Sequence, residues 1–355
     1  MDTVSAIAAY LRNGNTLAQL QAEYGVNVRQ HPDHADLVHV CYDMIDSPKH
    51  MIPNSTRGHI LEVGTWTHVC RPFDRFFNSG EGAAVSIDWS SARSTTKEDG
   101  SLLCLWYYGG KWQVSTKGSP NAGGNVGDRP FTFSQLFWDV WSELGYRQED
   151  LTIGKTYVFE LLTPWNKVVV RQNCNRLVLI AVRDNLSGEE TDVREYAPYF
   201  TVVKSYDLND LQDITATFAE LDPLNFEGYV VVDKDYNRIK VKHPGYVALH
   251  HMVSGMSRKN ILELVRQGES SEFLTYFPEY SADFLEIQGK YLALVSDLDT
   301  LWEEIKDLPV GKEFAMGAQK SVYPGPLFEI KRRGTPIKVS LREASLDNLS
   351  KILKL

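Results

Sequence analysis

Lys97-Glu98-Asp99-Gly100-Ser101 places a primary amine beside two carboxylates, with a glycine one step further on. A lysine amine attacks phosphorus only after losing its proton, so it needs surroundings that favour the neutral form. A glycine at such a place lets backbone come close to a bound nucleotide. Taken alone, the five residues also read as a charged surface turn. Further groups follow in order: Lys117-Gly118-Ser119, then Phe159-Glu160 ahead of Thr163-Pro164-Trp165-Asn166, then Phe226-Glu227-Gly228-Tyr229, then Lys240-Val241-Lys242. Side chains alternate along a strand, so Lys240 and Lys242 share one face.

The elements that must position these groups are legible in outline. Helical spacing covers Asp2–Arg12 and Thr16–Tyr24. Short β-prone runs follow at Leu37–Tyr42 and His59–Val63, and Leu102–Tyr108 returns through Gly109-Gly110 to Lys111–Ser115 as a hairpin. Lys97 therefore stands just before a strand. Gly118–Gly127 reads as a mobile loop and Thr132–Gly145 as an aromatic-rich amphipathic helix. Strands are expected at Thr156–Leu162, Lys167–Val170 and Arg176–Val182, a helix at Leu208–Leu221, and a hairpin through Tyr229–Asp233 and Arg238–Lys242. From Tyr246 onward the pattern is helical: Lys259–Arg266, the long Ala282–Leu308, and a last helix from Ser345, a natural N-cap.

Composition restricts the class. The 355 residues suffice for two domains, and 43% hydrophobic with 23% charged residues is ordinary for a globular chain. No apolar run reaches a membrane span, and the first residues lack the pattern of a signal peptide, so the expected setting is cytoplasmic. Cys41, Cys70, Cys104 and Cys174 have no metal-site spacing and read as reduced thiols. A net charge of −9 argues against broad nonspecific nucleic-acid binding, so any such role must rest on a local basic cleft. His243, His250 and His251 read as structural histidines, and Lys331-Arg332-Arg333 as a basic turn that is either solvated or in contact with RNA.

As an ordered set these groups resemble the five motifs of covalent nucleotidyltransferases. More narrowly, the chain resembles the bacteriophage RNA ligase 1 family. Thr56-Arg57-Gly58, Arg71-Pro72 before Phe76-Phe77-Asn78, Val182-Arg183-Asp184-Asn185 and Tyr246-Val247-Ala248-Leu249-His250 carry that closer likeness, which covers roughly residues 35 to 255. The resemblance implies an α+β nucleotidyltransferase domain of antiparallel sheets (ATP-grasp-like) with flanking helices over residues 1–254. A smaller all-α domain is implied over 255–355.

It also implies an ATP-dependent RNA ligase in which Lys97 becomes adenylylated, AMP passes to an RNA 5′-phosphate, and a 3′-hydroxyl seals the strand. Burial and the cations Lys240, Lys242 and Arg75 would lower the pKa of Lys97 and neutralise the triphosphate. Glu160 and Glu227 would hold Mg²⁺ (or Mn²⁺) or the ribose hydroxyls, with Glu272 a further metal candidate. Arg57 and Lys117 would contact nucleotide or 5′-phosphate, Phe77 would enclose adenine, Tyr42 would touch the nucleotide, and Gly100 and Gly228 would let backbone approach it. Tyr246 matches a tyrosine required for activity. Arg75 stands where the family has lysine, which changes the donor geometry. Implied partners are single-stranded RNA ends, above all cleaved tRNA anticodon loops in an infected bacterial host, and a polynucleotide kinase-phosphatase that prepares the ends. A DNA or template-dependent RNA nick ligase, a GTP-using capping enzyme and a non-catalytic RNA-end binder are the alternatives. A DNA ligase or a capping enzyme normally appends an OB-fold, which the helical tail does not suggest.

Overall fold

The computed structural model describes residues 4–166, 169–247 and 257–355. The chain falls into two compact units, Met1–Leu249 and His250–Leu355. The first opens with helices Ala6–Arg12 and Leu17–Tyr24, started by the Ser5 hydroxyl and by a Thr16/Gln19 capping box. Their residues Ile7, Leu11 and Leu20 pack with Val38, Val40 and Leu61 of an antiparallel sheet. That sheet runs β1 (Asn27–Gln30), β2 (Leu37–Cys41), β3 (Arg57–Glu62), β4 (His68–Cys70).

Later strands among the described residues are β5 (Phe77–Asn78), β6 (Arg93–Thr96), β7 (Ser101–Tyr108), β8 (Lys111–Thr116), β9 (Lys155–Leu162), β10 (Arg176–Asp184), β11 (Glu190–Thr191), β12 (Ser205–Tyr206), β13 (Gly228–Val232) and β14 (Arg238–Lys242). They form two five-stranded sheets, ordered β11-β10-β9-β7-β8 and β12-β6-β13-β14-β5. Pairing is antiparallel save for β5, which lies parallel to β14. The chain crosses from one sheet to the other between β6 and β7, so Lys97–Gly100 is the bridge between them.

Alternation sorts the side chains of both sheets. On β9, Tyr157, Phe159 and Leu161 enter a core with Leu136, Phe137, Val140 and Trp141 of the helix Phe133–Glu143, which Thr132 caps. Val158 and Glu160 turn to the opposite face. On β13 and β14, Tyr229, Val231, Ile239 and Val241 pack with Ile214 of the helix Leu211–Thr217, leaving Val230, Val232, Arg238 and Lys240 to face inward. At roughly 25 cal/mol per Å² of apolar area, such fully buried rings and branched chains supply the main cohesion of each layer.

Several expectations change. β6 and β12 carry too little apolar pattern to read as strands, yet they pair with each other and β6 pairs with β13. No strand forms at Val169–Val170, because their N–H groups donate to Asp99 rather than to a ladder; Lys167 and Val168 lie outside the described residues. The glycine-rich loop is tied down: Ala122 and Val126 are buried in the core and Asn125 bridges Thr132. Asp210 starts the following helix, which is shorter than its apolar pattern suggested.

Every element described in the second unit is helical: Arg258–Gln267, Ser270–Tyr276, a single turn Pro278–Tyr280, Ser281–Ile305, Lys312–Ala318, Gly325–Arg333, Ile337–Glu343 and Leu346–Ile352. Leu262, Phe284, Ile287, Leu298, Leu327 and Leu341 form its core. Ser345 occupies the expected N-cap position, but its side chain makes no capping hydrogen bond. None of the described helices is long and apolar enough to cross a membrane.

Candidate active site

Lys97 is fixed by backbone before its side chain acts. Its N–H donates to the Gly228 carbonyl at 2.8 Å, stitching the bridge segment to the start of β13. The Nζ then donates to Glu227 Oε2 at 2.6 Å, and Lys242 Nζ lies 3.2 Å from the other oxygen, Oε1. Gly228 and Lys242 face each other in the β13–β14 register, which is why one carboxylate reaches both lysines. The Glu227 side chain is 4% exposed and that of Lys97 23%, so this is a shielded carboxylate between two ammonium groups. Of the cations expected near Lys97, Lys242 shares its carboxylate and Lys240 lines the same cavity, while its closest charged partner is Glu227.

A cavity of about 160 Å³ opens beside this pair, between the two five-stranded sheets. Leu102, Glu160 and Ile180 wall one side, Thr95, Val230 and Val232 the other, with Lys240 and Arg238 along the second wall. A register shift between Leu179 and Ala181 sets Ile180 among the lining residues. Glu160 sits opposite Leu102 and Val178 in mid-sheet. Burial pushes its carboxyl up to about 8, the charge of Glu227 adding to the effect while Lys97 and Arg57 oppose it. Among the described residues nothing donates a hydrogen bond to it. Glu98, also on the wall, is raised by burial even though Arg176 stands 3.0 Å away.

The mouth is aromatic and cationic. Arg57 lies over Phe73 at 4.6 Å and Phe76 at 5.7 Å, and its buried Nη1 has no hydrogen-bond partner among the described residues. Tyr42 also lines the cavity, its ring between the Arg75 guanidinium at 4.2 Å and the Lys117 ammonium at 4.3 Å. Arg75 and Lys117 contact Tyr42 and are not themselves on the cavity wall. Phe77 is displaced likewise. Neighbouring residues of an extended segment point to opposite sides, so Phe76 faces the Lys97 cavity while Phe77 faces only a wider cleft of about 940 Å³ beyond it. Phe73, Phe76 and Arg238 form the partition between the two. Arg238 was passed over in the sequence, although it is in phase with Lys240 and Lys242 on β14; Glu190 holds it at 2.8 Å.

Three further candidates have structural explanations. A Cβ on Gly100 would lie 2.4 Å from the Leu161 carbonyl oxygen, so strand packing alone demands glycine there. Gly228 has φ +149°, and a Cβ would meet the Val241 carbonyl oxygen at 2.3 Å; its glycine serves the close approach of β14. The Tyr246 hydroxyl donates to Asp99 Oδ1 at 2.9 Å and does not line the cavity. Asp99 also accepts from the N–H groups of Val169 and Val170, so it ties three segments together directly behind Lys97. The side chain of Glu272 and all of His250 and His251 lie outside the described residues. His243 is structural: Nδ1 accepts from Gly245 N–H, and Nε2 lies 3.1 Å from two carbonyl oxygens.

A lysine on the bridge between two antiparallel sheets, with carboxylates from both and lysines from a third strand, is the arrangement of the nucleotidyltransferase fold of ligases. Residues 55–246, more than half of the chain, match the family profile described as RNA ligase. The protein belongs to that family, the phage-type RNA ligase 1 group. It is 29% identical over 77% of its length to a protein of Autographa californica nuclear polyhedrosis virus named for bifunctional polynucleotide kinase and RNA ligase activity, and spans 42% of that relative. With an RNA ligase of Rhodothermus phage RM378 it shares 24% identity over 71% of this chain and 73% of the relative. A solved archaeal ATP-dependent RNA ligase aligns at TM-score 0.48 and 12% identity, covering 81% of each chain.

Proposed function

We propose that the protein is an ATP-dependent RNA ligase that works through a lysyl-AMP at Lys97. The observation that carries this reading is the Lys97–Glu227–Lys242 cluster at the edge of a cavity between two sheets, in a chain of the RNA ligase family. Glu227, at 2.6 Å, is the group placed to take the proton that Lys97 must lose. The freed nitrogen lone pair attacks the α-phosphorus of ATP; the N–P bond forms, the bond to the bridging oxygen breaks, and pyrophosphate leaves. Lys240, Lys242 and the unpartnered Arg57 Nη1 supply positive charge for the phosphates and the leaving group. Val230, Val232 and Phe76 provide apolar surface for the base.

AMP then passes from Lys97 to an RNA 5′-phosphate, giving a 5′–5′ pyrophosphate link. A 3′-hydroxyl attacks the activated phosphorus, the phosphodiester forms and AMP departs. Glu160 and Glu227 are the residues that would hold a divalent cation. Their chemistry fits: the two oxygen-donor groups repel one another across the cavity wall, and Glu160 lacks a hydrogen-bond donor. No group of three acidic, histidine or cysteine side chains that could hold a metal is assembled among the described residues. A Mg²⁺-type ion bound there would take its remaining ligands from phosphates and water. When bound, such an ion supplies charge neutralisation at the phosphates.

Cleaved tRNA anticodon loops in an infected bacterium, with ends prepared by a kinase-phosphatase, are the substrate setting we favour; a relative named for both kinase and ligase activity supports that pairing. The helical second unit supports an RNA ligase over a DNA ligase or capping enzyme with an OB-fold. Mass spectrometry after incubation with ATP and Mg²⁺ tests the central claim. A covalent AMP on the peptide holding Lys97, absent in Lys97→Ala, is the expected result; an adduct formed with GTP alone refutes it.

A further inference from the structure

Trp165 is an exposed tryptophan on backbone that is anything but loose. The residue is 45% exposed, and the Arg129 guanidinium lies over its ring, 4.7 Å from the centroid. Exposed tryptophans usually earn no comment, but both partners here are seated on fixed scaffolding. Trp165 N–H donates to Thr163 Oγ1 at 3.1 Å, inside a turn closed by Asn166 Oδ1, which accepts from the Thr163 N–H at 2.8 Å and hydroxyl at 2.6 Å. The Asn166 amide also donates to Leu161 O at 2.5 Å and Ser101 Oγ at 3.1 Å. Just beyond, Val169 and Val170 N–H groups are held by Asp99. The turn carrying Trp165 is thereby bonded on two sides to the Lys97–Ser101 segment. Arg129 sits on a turn in which its N–H donates to Val126 O at 3.1 Å, and Val126 is buried in the core.

The result is a partly exposed aromatic plate on hydrogen-bonded backbone beside the nucleophile's own segment, with a cation on one face. Unpaired RNA bases are held by stacking on aromatic rings and guanidinium planes. A cation already stacked on the ring adds favourable charge for the nearby phosphodiester. We propose that Trp165, backed by Arg129, stacks against an unpaired nucleobase of the RNA strand being joined. This rests on the RNA ligase reading above and assigns a contact for the RNA, separate from the nucleotide cavity, whose lining does not include Trp165.

The test uses the full chain, a 5′-phosphorylated single-stranded RNA, and the same RNA with single abasic nucleotides placed in turn at each position near its ends. For the parent, one abasic position raises the KM for RNA roughly tenfold, the scale of one base–aromatic stack. Trp165→Ala raises the KM for intact RNA by the same factor and becomes indifferent to that abasic position. Trp165→Phe recovers most of the loss, and Arg129→Ala gives a smaller rise. Attachment of AMP from ATP alone, measured on each variant, reports that it is folded. Overturning results are an unchanged KM in Trp165→Ala, or a rise that leaves the abasic penalty in place. A parent that takes up AMP but shows no abasic penalty refutes the stacking alone. A parent that forms no adduct and seals no RNA refutes the ligase reading on which it stands.

Discussion

Replacing Glu160 by glutamine should make the ligand-free protein more stable at alkaline pH, because the residue is held in mid-sheet where its charge is poorly solvated. Burial raises its carboxyl from 4.5 to about 8. At 1.36 kcal/mol per unit, that difference of about 3.5 units sets a ceiling of about 5 kcal/mol on the cost of ionising it in the folded state. The sign follows from proton counting. Between 4.5 and about 8 the folded chain holds a proton at Glu160 that the unfolded chain has released. Stability therefore falls as pH rises through this window, and the full penalty is present above about 8. Glutamine keeps the shape and never ionises. In urea unfolding without nucleotide or divalent cation, parent and Glu160→Gln should differ by less than about 1 kcal/mol near pH 5. Near pH 9 the variant should be ahead by a few kcal/mol, below the ceiling because water and side chains relax around the charge. A gap that does not change with pH, or a parent more stable than the variant at pH 9, refutes the reasoning.

Three other outcomes follow from the same geometry. Glu227→Gln strips the counter-charge from Lys97 and Lys242, so AMP attachment should fall at least about 100-fold and stability by about 3 kcal/mol, read by adduct mass and thermal melting. Gly100→Ala forces a Cβ against the Leu161 carbonyl, and urea unfolding should show a loss of more than about 2 kcal/mol with or without ATP. Tyr246→Phe removes the hydroxyl that donates to Asp99; it should cost about 1 kcal/mol of stability and leave AMP attachment within about threefold of the parent. Loss of AMP attachment in a Tyr246→Phe protein of unchanged stability would mean that the hydroxyl acts in the cavity.

What the sequence could determine by itself was whatever depends on neighbours along the chain. The capping residues Thr16 and Thr132 start their helices because the bonds they make are three residues long. The Gly109-Gly110 turn closes the β7–β8 hairpin because both glycines take positive φ, and strand alternation alone puts Lys240 and Lys242 on one face. The ordered groups around Lys97, Glu160, Glu227 and Lys240 were enough to indicate the family. The tertiary structure decided everything that depends on what lies opposite. Nothing in Phe76-Phe77 says which ring meets the cavity, since that is set by the pairing of β5 with β14. Gly100 and Gly228 are explained by carbonyls of β9 and β14, about sixty and about a dozen residues away respectively. Tyr246 and Asp99 meet across 147 positions of sequence. The raised carboxyl of Glu160 has the same origin: burial and the field of distant charges exist only once the sheets have closed over it.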